Sequence, residues 1–178
     1  MTPTVTPSVP VRRLVFVLGV LVILGLLAGC SSTSPGQTGP VGLHLANDDN
    51  TTHSFEVTVV EGEIGPRGIG VTRDGRDVEY SSGGQGLSTT IFNQELGTVR
   101  SIELPANRTR SVETVPLAPG ERVQLNVTSF TTGDTLVVVD HQGDRIVALV
   151  TANCDESGLS FVSVTAGPTR PYAGYFCG

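Results

Sequence analysis

The sequence contains no lysine and no tryptophan, and its only methionine is Met1. All 11 basic residues are therefore arginines, set against 17 acidic residues for a formal charge of −6. Without lysine there is no Schiff base, no Ser-x-x-Lys nucleophile and no P-loop lysine. Apart from Arg12-Arg13 the arginines are scattered. An acidic chain without a basic stripe lacks the electrostatic footprint of a nucleic-acid binder, so no nucleic-acid partner is expected. Aromatic residues make up 5% of the chain against 22 glycines, which argues against a large enzyme-like core, while 38% hydrophobic residues are too many for a disordered chain.

Arg12-Arg13 precede residues 14–29, an unbroken run of apolar residues and glycine. At ~1.5 Å per residue such a run makes a helix of roughly 24 Å, short of the ~30 Å hydrocarbon core, and it suits the h-region of a signal peptide. Leu27-Ala28-Gly29-Cys30 follows, and then Ser31-Ser32-Thr33-Ser34. This segment resembles a lipobox. The resemblance implies cleavage before Cys30, a diacylglyceryl group on its sulfur, and a membrane as partner through that anchor. The Arg pair also resembles a twin-arginine export signal, although every signal n-region is basic. Residues 1–29 thus read as signal peptide.

Loss of those residues leaves nine arginines against 17 acids, a formal −8. The missing lysine, the acidic surface and the abundance of Thr, Val, Asp and Gly resemble secreted lipoproteins of halophilic archaea. There, salt shrinks the Debye length to below ~3 Å, so an acidic protein meets little self-repulsion. A high-GC actinobacterial lipoprotein is the alternative source. Both place the domain on the outer face of a cytoplasmic membrane.

Three cysteines are present, Cys30, Cys154 and Cys177. With Cys30 lipidated, the remaining pair outside the cell reads as a disulfide, closing a loop of roughly 24 residues and contributing roughly 3.5 kcal/mol. No C-x-x-C occurs and no histidine follows His141. A zinc or blue-copper site is therefore not expected, and no cofactor is.

Residues 30–40, rich in Ser, Thr, Gly and Pro, read as a lipidated cysteine and flexible tether with a reach of roughly 16–19 Å. From residue 41 a two-residue period takes over. Val41, Leu43 and Leu45 alternate with small or polar residues, residues 47–52 turn, and Phe55, Val57 and Val59 alternate again, which predicts a hairpin with one buried face. Residues 62–98 are glycine-rich, with short strands expected near 69–72, 78–81 and 88–93. Strands are expected again at 99–104 and 109–117. Ala118-Pro119-Gly120-Glu121 then suits a type II turn, before Val123, Leu125 and Val127 on one face.

Residues 136–139 and 146–150 flank Asp140-His141-Gln142-Gly143-Asp144-Arg145. A hairpin centred on Gln142-Gly143 sets Asp140 opposite Arg145, Val138 opposite Val147 and Leu136 opposite Leu149. Both of its faces are apolar, so it needs cover on both sides, for which segment 62–98 is available. Runs 159–165 and 172–177 supply the last strands. Seven to nine strands with regular turns argue an all-β, antiparallel, immunoglobulin-like β-sandwich over residues 41–178. The turn into an alternating strand also resembles Ig-like ectodomains of archaeal lipoproteins.

His44 and His53 with Asp48 and Asp49 invite a metal reading, but the alternation points the two rings to different faces, and no calcium-loop spacing is present. His53 then reads as a strand-end residue and His141 as a solvated turn residue. Gly83-Gly84-Gln85-Gly86 lacks the strand-to-helix setting of a phosphate cradle. No Gly-x-Ser-x-Gly occurs, and no carboxylate pair is singled out. Asn50, Asn107 and Asn126 each head an N-x-[ST] sequon and are candidate glycosylation sites.

The leading expectation is a lipid-anchored extracytoplasmic binding or interaction module without catalytic residues. Two alternatives stand beside it. One is a secreted hydrolase using an unrecognised carboxylate pair. The other is a structural subunit of a cell-envelope assembly, with an envelope protein as partner.

Overall fold

The computed structural model describes residues 39–178 except 75, 77 and 82. Arg12, Arg13, Leu27, Ala28, Gly29 and Cys30 therefore lie outside the described residues, as does all of the tether before Gly39. Among the described residues the chain forms twelve strands: β1 Val41–Asn47, β2 His53–Val60, β3 Ile69–Arg73, β4 Glu79–Ser81, β5 Gly86–Ile91, β6 Val99–Glu103, β7 Thr109–Leu117, β8 Arg122–Val127, β9 Thr135–Gln142, β10 Arg145–Asn153, β11 Leu159–Ala166 and β12 Tyr172–Cys177. Val and Thr dominate them, as a pleated, half-buried surface favours.

Two sheets stack face to face. The smaller runs β12-β11-β1-β8; the larger runs β4-β3-β6-β10-β9-β2-β7, with β5 also on β10. Each gives one parity of side chains to the space between. Leu43 and Leu45 of β1 and Val162 and Val164 of β11 meet Phe55 and Val57 of β2 and Leu136 and Val138 of β9 in a dry core. The all-β sandwich expected from the alternation is thus the fold. One pair of strands, β1 with β11, is parallel.

The expected β1–β2 hairpin does not form. β1 pairs with β8 and β11, whereas β2 pairs with β7 and β9 in the other sheet. Both strands carry a complete apolar parity, and setting them in facing sheets packs those two rows against each other instead of side by side. Buried Asn47 makes the crossing: its amide donates to the carbonyls of Thr51 at 2.8 Å and Leu117 at 2.9 Å, and its Oδ1 accepts from the Asp49 N–H. The 118–121 turn has the expected geometry, with Glu121 N–H on Ala118 O at 3.0 Å and Gly120 at φ +79°. It too carries the chain between sheets, from β7 to β8.

The β9–β10 hairpin is present in a different register from the one expected. Gln142 faces Arg145, Asp140 faces Ala148, Val138 faces Val150 and Leu136 faces Ala152. The loop is the two residues Gly143-Asp144. Gly143 takes φ +64° at the first central position and Asp144 does not follow it into positive φ, which is the II′ pattern. A bulge at Val147 shifts the pairing by one more residue.

Both faces of this hairpin are covered, as its composition requires. Val137, Val139, Ile146 and Leu149 point away from the sandwich and pack with Ile64, Ile69, Val71, Phe92 and Val99 in a second core. Segment 62–98 is thus the cover on that side. Its glycines serve close approach: a Cβ on Gly83 would stand 2.9 Å from the Cβ of Ile64.

The two ends of the sandwich differ. The chain enters beside Leu159, Ser160 and Gly178. That end also holds the Cys154–Cys177 disulfide, Cα to Cα 5.6 Å, which ties β10 of the larger sheet to β12 of the smaller. The opposite end gathers connections 47–52, 118–121, 143–144 and 167–171, with Asp48 N–H on Ala166 O at 2.8 Å and the Tyr172 hydroxyl on Asp48.

Replacing both Cys154 and Cys177 by serine frees β12 from β10 and releases the loop they close. The double variant is expected to lose roughly 3.5 kcal/mol relative to the oxidised protein, read as a lower urea midpoint with a slope equal or steeper, since the unfolded chain is released. Coincident midpoints would show that the bond contributes nothing.

Candidate functional site

At the end away from chain entry a cleft of about 210 Å3 opens between the sheets. Asp49, His53, Phe92, Asp140, Gln142 and Arg170 are among its lining residues. Its floor comes from two strands of the larger sheet. His53 starts β2 on the same parity as Phe55 and Val57, and Asp140 continues the parity of Leu136 and Val138 on β9. Both side chains are therefore carried into the interior, with 5% and 2% of their surface exposed.

There His53 is clamped between two carboxylates. Its Nδ1 lies 2.7 Å from Asp140 Oδ1, and its Nε2 lies 3.1 Å from Asp49 Oδ2. Asp49 is also the acceptor for the Thr51 hydroxyl at 2.8 Å and for the Gln142 amide at 3.3 Å. The same Gln142 amide donates to Thr51 Oγ1 at 2.6 Å, and Arg145 donates to Gln142 Oε1. Asp140 Oδ2 is buried and has no hydrogen-bond partner among the described residues. Burial of this kind leaves an acceptor costly unless a donor is supplied.

The charges follow from this geometry. Burial pulls the His53 pKa down, but the hydrogen bonds and negative charges of Asp140 and Asp49 outweigh it, and the net shift is upward. Burial raises the Asp140 carboxyl against the opposing pull of His53. Hydrogen bonds from His53, Thr51 and the Asn50 backbone hold Asp49 below its usual value. A carboxylate at each ring nitrogen favours the protonated ring, the form in which both N–H groups donate.

An Asp140–His53–Thr51 line has the outline of a charge-relay triad, with Thr51 Oγ1 3.5 Å from Nε2. The chemistry differs. Nε2 faces the closer carboxylate of Asp49, and the Thr51 hydroxyl donates to that same carboxylate. With Nε2 on Asp49 and the Thr51 hydroxyl donating to that carboxylate, the hydroxyl is not aligned on the histidine as a relay nucleophile is.

Of the residues singled out from the sequence, only His53 and Asp49 meet here. His53 is at a strand end as expected, the first residue of β2, and it is also buried with a carboxylate at each nitrogen. His44 lies on the outer face of β1, apart from His53, as the alternation implied. His141 lies in β9, not at the tip of the turn, and its Nε2 is 3.4 Å from Glu56 Oε2. Asp48 pairs with Arg122 and Tyr172. Asn50, Asn107 and Asn126 are all exposed. Among the described residues no group of three or more His, Cys, Asp or Glu is disposed to hold a metal ion. Asp140 and Gln142 went unnoticed as site residues because the expected hairpin register set Asp140 against Arg145. The available signal was the inward parity that Asp140 and His53 share with apolar neighbours.

The clamp makes stability depend on pH in a definite direction. A folded-state pKa raised above the unfolded ~6.5 contributes fully below pH ~6.5 and is lost as pH rises through the folded value. The stability advantage of the wild type over His53→Gln should therefore be largest near pH 6, at about 3 kcal/mol, and shrink toward pH 9. A gap that widens with pH would contradict the clamp. No family model, no curated protein and no solved structure matches this chain, so the reading of the cleft rests on its geometry.

Proposed function

We propose that the chain is a lipid-anchored, extracytoplasmic binding module without catalytic activity, built on an immunoglobulin-like sandwich. The observation that carries this reading is the placement of a polar cleft at the end of the domain opposite the point where the chain enters. An anchor at Cys30 precedes the entry end in sequence, so it leaves the residues of the cleft free of the attachment. The groups around it suit recognition rather than turnover. Asp140 keeps one buried oxygen unpaired, and the Arg170 guanidinium makes no ion pair among the described residues. The Thr51 hydroxyl beside the histidine is already engaged with Asp49.

The hydrolase reading draws on one observation: Asp49 and Asp140 have pKa values pushed in opposite directions, as an acid and base pair does. Against it, the His53 ring fills the space between them and takes one oxygen of each. The envelope-assembly reading drew on an exposed apolar face of the β9–β10 hairpin. Ile64, Ile69 and Phe92 cover that face, which removes that support.

Two linked measurements test the proposal. Cys30→Ser is expected to move the protein from the membrane to the soluble fraction of the cells that make it. The purified wild type is expected to turn over neither ester nor glycoside substrates. A Cys30→Ser protein that stays in the membrane fraction overturns the anchor, and turnover abolished by His53→Gln overturns the non-catalytic reading.

A further inference from the structure

The three sequons occupy different settings. Asn50 lies in the β1–β2 connection and Asn107 in a 3-10 turn, whereas Asn126 stands on β8, an edge strand of the smaller sheet. Asn126 points outward, since its neighbours Leu125 and Val127 face the core. The register sets Asn126 opposite Gly42, Gly42 beside Phe161, and Phe161 opposite Phe176. These four residues form one row across the outer face, running over all four strands.

That row is apolar where an outer face is ordinarily polar. Phe176 is 69% exposed, and the Phe161 and Phe176 rings stand 6.4 Å apart. Gly42 supplies no side chain between Asn126 and the rings. A Cβ there would lie 3.1 Å from Phe161 Cδ2, so the Phe161 ring leans over Gly42. At ~4.8 Å per strand spacing, Phe161 is about 10 Å from Asn126 and Phe176 about 14 Å. The first sugars of an N-linked glycan span such distances. A pyranose ring turns one face of C–H bonds toward an aromatic ring while its hydroxyls stay in water, so it covers exposed phenylalanine without stripping polar groups of solvent.

We propose that Asn126 carries an N-linked glycan whose first sugars pack on the Phe161 ring where it leans over Gly42, and on Phe176. The proposal rests on the exported reading above, because the sugar donor acts on chains that cross the membrane. The donor is a polyisoprenyl-phosphate-linked oligosaccharide. The bond from sugar C1 to phosphate oxygen breaks, a C1–Nδ2 bond forms, and the amide proton leaves as the phosphate departs. Thr128 supplies the sequon hydroxyl, and the edge position of β8 leaves Asn126 open to the solvent.

Glycopeptide mass spectrometry of the protein from its own membranes, followed by NMR of the intact glycoprotein, tests this. Asn126 is expected to be occupied, with sugar proton resonances shifted upfield by the ring currents of the phenylalanines. In Phe176→Leu, an exposed substitution that leaves the core untouched, those shifts should shrink while occupancy stays the same. A bare Asn126 overturns the proposal. If Asn50 or Asn107 carries sugar while Asn126 does not, export stands and this inference alone fails. Occupied Asn126 with unshifted sugar resonances overturns the packing.

Discussion

The fold turns on one strand that has to be buried on both faces. β9 sends Leu136 and Val138 into the core between the sheets and Val137 and Val139 into the second core behind the larger sheet. Such a strand is stable only where each side has an apolar partner. The smaller sheet is one partner. The glycine-rich segment around Ile64, Ile69 and Phe92 is the other. Asp140 then inherits the inward parity of Leu136 and Val138 at the end of the strand, where a bare carboxylate would be costly. His53, reaching it from the neighbouring strand on the same parity, answers that cost. The polar cleft is thus a consequence of how the apolar core ends.

Local pattern and long-range pairing were legible to different degrees. The period of two located nearly every strand after residue 99, because Val, Ile and Thr alternate there with polar residues. It also carried His44 and His53 to different faces. Partner choice was less accessible. Val41–Leu45 and Phe55–Val59 look like the two arms of a hairpin because both carry one apolar face, yet the same pattern suits strands in facing sheets. Asn47 decides between them by its buried bonds to Thr51 and Leu117, 70 residues apart from it in the second case. The β9–β10 register failed for a smaller reason. Gln142-Gly143 suggests a turn with Gly143 second, whereas Gly143 is its first central residue, and the bulge at Val147 leaves no mark in composition.

The same error hid the site. With Asp140 assigned to Arg145 its charge was accounted for, and nothing sent it inward. The geometry gives Arg145 to Gln142 and leaves Asp140 with His53. Two ends of one sandwich then take separate duties. The entry end holds the disulfide and joins the two sheets. The far end gathers loops around a buried cluster in which one histidine is held between two carboxylates. Among the described residues the domain is disulfide-linked at one end and polar at the other.

The claim on which this account depends is that Asp140 and Asp49 favour the protonated, doubly bonded state of His53. Its nitrogen-15 ring resonances, followed from pH 5 to 9, report that state directly. The account predicts that the ring titrates above the ordinary histidine value of ~6.5. A ring that titrates at or below that value would contradict it.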